Sequence, residues 1–115
     1  MKILLPVIAL AALSAGPVFA DCAVPDNNVQ VPDGSMATRE EMIAAQKAVQ
    51  AYDAAVKTYT DCLAQEQQQK LEAGGDKAKL QKHYAELNNS EVEKVQQLAD
   101  KFNTELKAYK AKAAG

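Results

Sequence analysis

A stripe of apolar side chains at helical spacing dominates the chain between positions 42 and 63. Its members recur at alternating intervals of three and four residues, which places them on one face of an α-helix. A helix with one apolar face has to bury that face against another element. The pattern therefore predicts a long amphipathic helix that needs a partner from elsewhere in the chain. The stripe consists of Met42, Ala45, Val49, Tyr52, Val56, Tyr59 and Leu63.

The sequence also marks where this first helix begins and ends. Thr38, followed three residues later by Glu41, forms a capping box, in which each side chain accepts a hydrogen bond from a free backbone N–H group. No Gly or Pro follows until the glycine pair at 74–75. We therefore expect a helix of about 35 residues, roughly 50 Å long. Before it, the Pro-Asp-Gly sequence at 32–34 predicts a turn with Pro at its second position.

A second apolar stripe follows the glycine pair and predicts an antiparallel partner for the first helix. Asp76 can cap this second helix, and an unbroken helix to about residue 112 would match the first in length. Folding at 74–75 would then place Leu63 near Leu87 and Met42 near Leu106. The stripe consists of Leu80, Tyr84, Leu87, Val95, Leu98, Phe102, Leu106 and Tyr109.

One segment of the second helix leaves its continuity open. Ser90 and Glu93 form another capping box directly after two asparagines, so a break near Asn89 would give three helices. The unbroken form is favoured because a hairpin needs two arms of equal length. The expected fold is all-α: an antiparallel two-helix hairpin with an extended N-terminal arm.

Residues 1–20 have the organisation of a Sec-type signal peptide. A basic start at Lys2 precedes an apolar run from Ile3 to Leu13, which is shorter than the roughly 20 residues needed to span a bilayer. Small or branched side chains follow, and we expect cleavage between Ala20 and Asp21. The mature chain would then be exported to the periplasm, or secreted, without a membrane span.

The two cysteines of the chain, Cys22 and Cys62, are expected to form a disulfide, since paired thiols are the rule in an oxidising compartment. The alternative is a lipid on Cys22. A lipoprotein signal needs a small residue immediately before the modified cysteine, and Asp21 stands there. The disulfide is therefore the favoured state of both cysteines.

The segment between the signal peptide and the first helix predicts an extended arm. Its prolines, at 25 and 32, disfavour helix at the residues before them. At about 3.1 Å per residue, the arm is long enough to run back along the helix and bring Cys22 to Cys62. We expect it to lie on a flank of small side chains. The chain thus divides into a signal peptide (1–20), an arm (21–37) and a helical hairpin domain (38–115). The small flank consists of Ala44, Ala48, Ala51, Ala55 and Cys62.

Composition and motifs argue against several classes of function. The full chain has 13 basic and 15 acidic residues, whereas nucleic-acid and anionic-membrane surfaces need clustered Lys and Arg. His83 is the one histidine, and the positions four residues before and after it hold Lys79 and Leu87, neither of which is a usual metal ligand. The chain contains no phosphate-binding loop, zinc motif or calcium loop, and a two-helix hairpin offers no deep pocket for catalysis. We expect no enzyme activity, cofactor or metal.

Three hypotheses for the function remain. The first is an interaction or structural protein of the bacterial envelope that presents a long helical face to a protein partner. The second is a module that self-associates into a helical bundle and binds a small ligand or metal; uncovered apolar residues such as Ile43 and Val92 would favour association. The third is a periplasmic chaperone. Asn103, beside Phe102 on the second helix, is the polar residue we single out for a role in interaction.

Several short motifs occur in a fixed order along the mature chain. A cysteine near its start is followed by the Pro-Asp-Gly turn, by Glu41 and Met42, and by the segment 59–63 that contains Cys62. The later segments 95–103 and 105–110 continue the series. In these features the chain resembles small uncharacterised exported helical proteins of Gram-negative bacteria. The resemblance implies a periplasmic location and no particular activity.

Overall fold

The computed structural model describes residues 22–115, and over this range it contains two α-helices and no β-strand. Helix α1 spans Arg39–Glu72 and helix α2 spans Lys77–Ala114. The two pack against each other as an antiparallel hairpin, as the two stripes predict. The signal peptide predicted for residues 1–20 and the cleavage predicted between Ala20 and Asp21 lie outside the described residues.

Both predicted N-cap residues, Thr38 and Asp76, cap their helices, whereas the hydrogen bonds of residues 22–115 do not include the return bond of the capping box to the Glu41 carboxylate. The Oγ1 atom of Thr38 accepts a hydrogen bond from the backbone N–H of Glu41 at 3.1 Å. At α2 the Oδ1 atom of Asp76 accepts from the backbone N–H of Lys79 at 3.0 Å. Each cap satisfies one of the N–H groups that a helix start leaves without an intrahelical partner.

The hairpin turn is a Schellman motif built on the glycine pair. Gly74 has φ +92°, a left-handed value that residues with a Cβ atom rarely adopt. Its N–H donates to the carbonyl of Leu71 at 3.1 Å, and the N–H of Gly75 donates to the carbonyl of Lys70 at 2.9 Å. These bonds end α1 and reverse the chain within four residues.

Helix α2 continues without interruption through residues 88–90, so the three-helix alternative is wrong. Asn89 and Ser90 are exposed, and the helix on either side of them is held by packing against α1. Tertiary packing therefore outweighs the local preference of these residues for a cap or a turn.

The core consists of three apolar clusters spaced along the hairpin. Residues that the folding at 74–75 was predicted to bring together share a cluster, including Leu63 with Leu87 and Met42 with Leu106. The cluster at the open end, where the N-terminus of α1 meets the C-terminus of α2, contains Ala37, Met42, Ala45 and Phe102. The middle cluster contains Tyr52, Val56 and Leu98, and the cluster near the turn contains Tyr59, Leu63 and Tyr84.

The N-terminal arm is extended and forms a third layer over the seam between the two helices. Val29 and Val31 pack on the middle cluster. Beyond them the chain turns, and the N–H of Gly34 donates to the Oε2 atom of Glu105 on α2 at 2.8 Å. Lys112, near the end of α2, donates from Nζ to the carbonyl of Ala37 at 2.6 Å. The arm thus contacts both helices before α1 begins.

The turn at the end of the arm begins at Asp33, later than the Pro-Asp-Gly sequence indicates. The backbone N–H of Met36 donates to the carbonyl of Asp33 at 3.0 Å, which makes Asp33 the first residue of the turn. Its side chain accepts from the N–H and the hydroxyl of Ser35 at 3.0 and 2.7 Å. These bonds lower the pKa of Asp33 below its usual value. Side-chain capping of this kind fixes the position of the turn.

A disulfide between Cys22 and Cys62 joins the far end of the arm to α1, as predicted. The two Cα atoms are 5.7 Å apart, and 40 residues separate the cysteines in sequence. Such a bond indicates an oxidising compartment and therefore an exported protein. Neither helix of residues 22–115 is both long and apolar enough to cross a membrane.

Candidate functional site

An open groove runs between the arm and α1, with a volume of about 820 Å³. The arm from Pro25 to Pro32 forms one wall, and the small-residue flank of α1 forms the other. We call this concavity the arm groove. It is lined on the arm side by Pro25, Asp26, Asn28, Val29, Gln30, Val31 and Pro32, and on α1 by Glu41, Ala44, Ala45, Ala48, Ala51, Tyr52 and Ala55.

The arm lies beside the alanine flank and leaves most of it uncovered, which differs from the sequence-based expectation. Ala44, Ala51 and Ala55 are exposed, although all three line the arm groove. The arm's Val29 and Val31 pack instead over the seam at the middle cluster. Valines bury more apolar surface against large side chains than against alanine methyl groups, so the arm takes the seam and the alanine flank stays open.

Beneath the arm groove, Tyr52 connects its floor to a buried carboxylate on α2. Glu91 is only 4% exposed. Its Oε2 atom accepts a hydrogen bond from the Tyr52 hydroxyl at 3.3 Å, and its Oε1 atom accepts from Lys94 Nζ at 2.8 Å. We call these three residues the Glu91 cluster. Every buried polar side-chain atom in the part of the chain described has a hydrogen-bond partner, so the carboxylate is held in place.

The charges of this cluster affect the acid–base behaviour of the neighbouring phenols. Burial raises the pKa of Tyr52 above its usual value, and the negative charge of Glu91 raises it further. The same two causes raise the pKa of Tyr59. The pKa of Lys94 is raised by its hydrogen bond to Glu91. Both phenols therefore stay neutral at physiological pH, and the Tyr52 hydroxyl keeps the proton that it donates to Glu91.

Glu91 was missed in the sequence, although the spacing of the second stripe indicates its position. The stripe has a gap between Leu87 and Val95, and Glu91 lies four residues from each. A charged residue at a stripe position surrounded by apolar ones is buried when a partner can reach it. Tyr52 and Tyr59 are the residues of the first stripe that carry a hydroxyl, and Tyr52 supplies that partner.

A second contact between a tyrosine and a glutamate lies near the turn. The Tyr84 hydroxyl on α2 donates to the Oε2 atom of Glu66 on α1 at 2.9 Å. Lys70 Nζ lies 5.5 Å from the centroid of the Tyr84 ring and 4.0 Å from Glu66 Oε1. Together with the Glu91 cluster, this contact fixes the register of the two helices by polar as well as apolar pairing.

The other residues singled out in the sequence lie apart from the arm groove. Asn103 is exposed on α2, and His83 is exposed with its ring edge-on to Tyr84. Ile43 and Val92 are 39% and 38% exposed, and single exposures of this kind are common on protein surfaces. Within residues 22–115, no group of three or more His, Cys, Asp or Glu side chains is placed to hold a metal ion.

The chain is therefore a helical hairpin whose N-terminal arm is joined to α1 by a disulfide and forms a groove with that helix. Comparisons of the chain with protein-family models, with curated proteins and with solved structures find no match.

Proposed function

We propose that the mature chain is a non-enzymatic protein of the periplasm that binds a protein partner through the arm groove and the alanine flank beside it. The observation that carries the proposal is the groove itself. It is long and largely apolar, and most of the alanines on its α1 wall are accessible. Concave apolar surfaces with a few polar groups are the usual place for a ligand to bind.

The way the arm is attached supports this proposal. One end of the arm is joined to α1 by the disulfide between Cys22 and Cys62. The other end is held on α2 by the bond from Gly34 to Glu105 and the bond from Lys112. A wall that is fixed at both ends needs little ordering when a partner binds, which lowers the entropic cost of association.

The proposed location rests on the disulfide together with the signal-peptide pattern of residues 1–20. Expression of the full chain in a Gram-negative host, followed by fractionation and intact mass measurement, tests it. We expect a periplasmic product that begins at Asp21 and gains about two daltons on reduction, because two thiols replace one disulfide. Retention in the cytoplasm, or a mass increased by lipid, would contradict the proposed location and processing.

Partner binding can be tested in cells by photo-crosslinking from the groove. A photoreactive amino acid at Ala51, which lines the groove, is compared with the same amino acid at Ala54. Ala54 is a matched control because it is an exposed alanine on the same helix and does not line the groove. We expect a discrete adduct with another periplasmic protein from position 51 and none from position 54.

The products of this experiment separate the hypotheses. An adduct between two copies of the chain from position 51 would favour self-association through the groove over a different protein partner. Many weak adducts of different masses would favour the chaperone hypothesis. Equal labelling from positions 51 and 54, or no adduct from either position, would remove the groove as the binding surface.

A further inference from the structure

We propose that the arm groove binds an extended, positively charged peptide segment of the partner, which pairs its backbone with the arm as an added β-strand. This inference rests on the proposed function and specifies the kind of partner. Strand addition is a known mode of peptide recognition, in which backbone bonds provide affinity and side-chain contacts provide selectivity.

The backbone of the arm has the hydrogen-bonding capacity that strand addition needs. Residues 22–32 are extended, and none of them makes a backbone–backbone hydrogen bond with another described residue. Unpaired N–H and C=O groups along a fixed extended segment are a template for another strand. Between the prolines at 25 and 32, every residue can supply an N–H donor.

The orientation of the arm directs one edge of this backbone into the groove. Val29 and Val31 are half-buried, whereas Asn28 and Gln30 are exposed, so side chains alternate between the helices and solvent. In an extended strand the N–H and C=O groups point sideways, at right angles to the side chains. One row of these groups therefore faces along the surface toward α1, across the open groove.

The dimensions of the two walls agree with an occupant of six to eight residues. The arm from Pro25 to Pro32 spans roughly 23 Å at about 3.3 Å per residue. The facing part of α1, from Glu41 to Ala55, spans roughly 21 Å at 1.5 Å per residue. An extended peptide of similar length would lie with one edge on the arm and small or β-branched side chains on the alanines.

The charges around the groove favour a positively charged peptide. Asp26 and Glu41 line the groove on opposite walls, and no Lys or Arg lines it. The described part of the arm contains a further acid, Asp33, and no basic residue. Complementary charge steers encounter and rejects partners of like charge. A peptide with Lys or Arg near its ends would place a cation beside each wall.

A synthetic peptide tests the inference on the mature, disulfide-bonded chain. The probe is a seven-residue peptide that alternates Ala and Val and carries one Lys near each end. Two variants are compared with it: one with Glu in place of both Lys, and one with alternate backbone amides N-methylated. Binding is followed by NMR of the isotope-labelled protein, together with the hydrogen-exchange rates of the backbone amides of residues 26–31.

We expect the Lys peptide to bind, to shift the amide signals of residues 26–31 and to slow exchange at alternate positions. The Glu peptide loses both charge contacts and the N-methylated peptide loses several backbone hydrogen bonds, so each should bind at least about tenfold more weakly. The variant Ala51→Arg should lose binding, and the matched variant Ala54→Arg should keep it. Both substitutions are at exposed helix positions, and circular dichroism would show that both variants fold.

Several results would overturn the inference. Equal binding of the N-methylated peptide would exclude backbone pairing, and equal binding of the Glu peptide would exclude the charge selection. Signals that shift only outside the groove, or no binding by any peptide at millimolar concentration, would exclude this occupant. If crosslinking from Ala51 still captures a partner in cells, the proposed function would stand and only the extended peptide would be wrong. If that crosslinking also fails, both proposals fall.

Discussion

Replacement of Glu91 tests how this hairpin accommodates a buried charge in a thin apolar core. The residue is 4% exposed and occupies the gap in the second apolar stripe. Four variants form the test: Glu91→Ala, Glu91→Leu, Tyr52→Phe, and Glu91→Leu combined with Tyr52→Phe. They separate the loss of a hydrogen-bond partner from the loss of packing.

The expected changes in the free energy of unfolding follow from the contacts of Glu91. Glu91→Ala leaves the buried Tyr52 hydroxyl without its acceptor, which costs about 1–3 kcal/mol. It also removes packed side-chain atoms, so the total destabilisation should be about 2–4 kcal/mol. Glu91→Leu restores apolar packing but still leaves the hydroxyl without an acceptor, and should cost about 1–2 kcal/mol.

The double variant should recover most of that loss. With Phe at 52 and Leu at 91, neither a hydroxyl nor a carboxylate is left unpaired. Replacement of a buried polar pair by packed apolar groups is often neutral or stabilising. We expect the double variant to lie within about 1 kcal/mol of the native chain or above it, with a favourable coupling energy of at least about 1 kcal/mol between the two sites.

Urea unfolding at neutral pH, followed by far-UV circular dichroism, measures these differences. Glu93→Ala is the matched control, because Glu93 is an exposed glutamate on the same helix and should change stability by no more than about 0.5 kcal/mol. The reasoning is refuted if Glu91→Ala costs no more than this control. It is also refuted if the double variant is as unstable as Glu91→Leu alone.

Three further predictions concern the arm and the buried phenols. Reduction of the disulfide, which closes a loop of 40 residues, should lower the free energy of unfolding by about 4 kcal/mol; unchanged urea midpoints with and without reductant would contradict this. A Cβ atom at Gly34 would overlap the backbone carbonyl of Glu105, so Gly34→Ala should destabilise the chain by about 1–3 kcal/mol in the same assay. Gly115→Ala, whose methyl group would meet only ordinary contacts, should be neutral. Burial raises the pKa values of Tyr52 and Tyr59 above the usual value near 10. As the pH rises, these two tyrosines therefore lose their protons in the unfolded chain before they lose them in the folded chain. The stability that these two neutral phenols contribute is therefore fully present below about pH 10 and is lost as the pH rises beyond it. Variants with Phe at both positions should show a shallower loss, and an equally steep one would refute this assignment.

The hairpin itself could be predicted because local signals agree along most of its length. Thr38 and Asp76 cap the helices, the glycine pair ends α1, and two apolar stripes of similar length face each other. The disulfide could be predicted as well. The chain has two cysteines, an exported chain enters an oxidising compartment, and the arm is long enough to bring Cys22 to Cys62. Where local signals conflicted, at Asn89 and Ser90, the length of the packed stripe decided the outcome. Consistency between local preference and packing makes such elements predictable.

The arm groove could not be predicted, because it depends on a competition between two places where the arm can pack. The stripe pattern shows which side of α1 is apolar, and the length of the arm shows how far it reaches. Neither shows whether Val29 and Val31 bury more surface on the alanine flank or over the seam. Their preference for the seam depends on large side chains contributed by both helices, such as Val56 and Leu98. Once the valines pack there, the alanine flank is left beside an extended backbone. The groove is thus a consequence of where the third layer packs, and the disulfide and the contact at Gly34 hold that layer at its two ends.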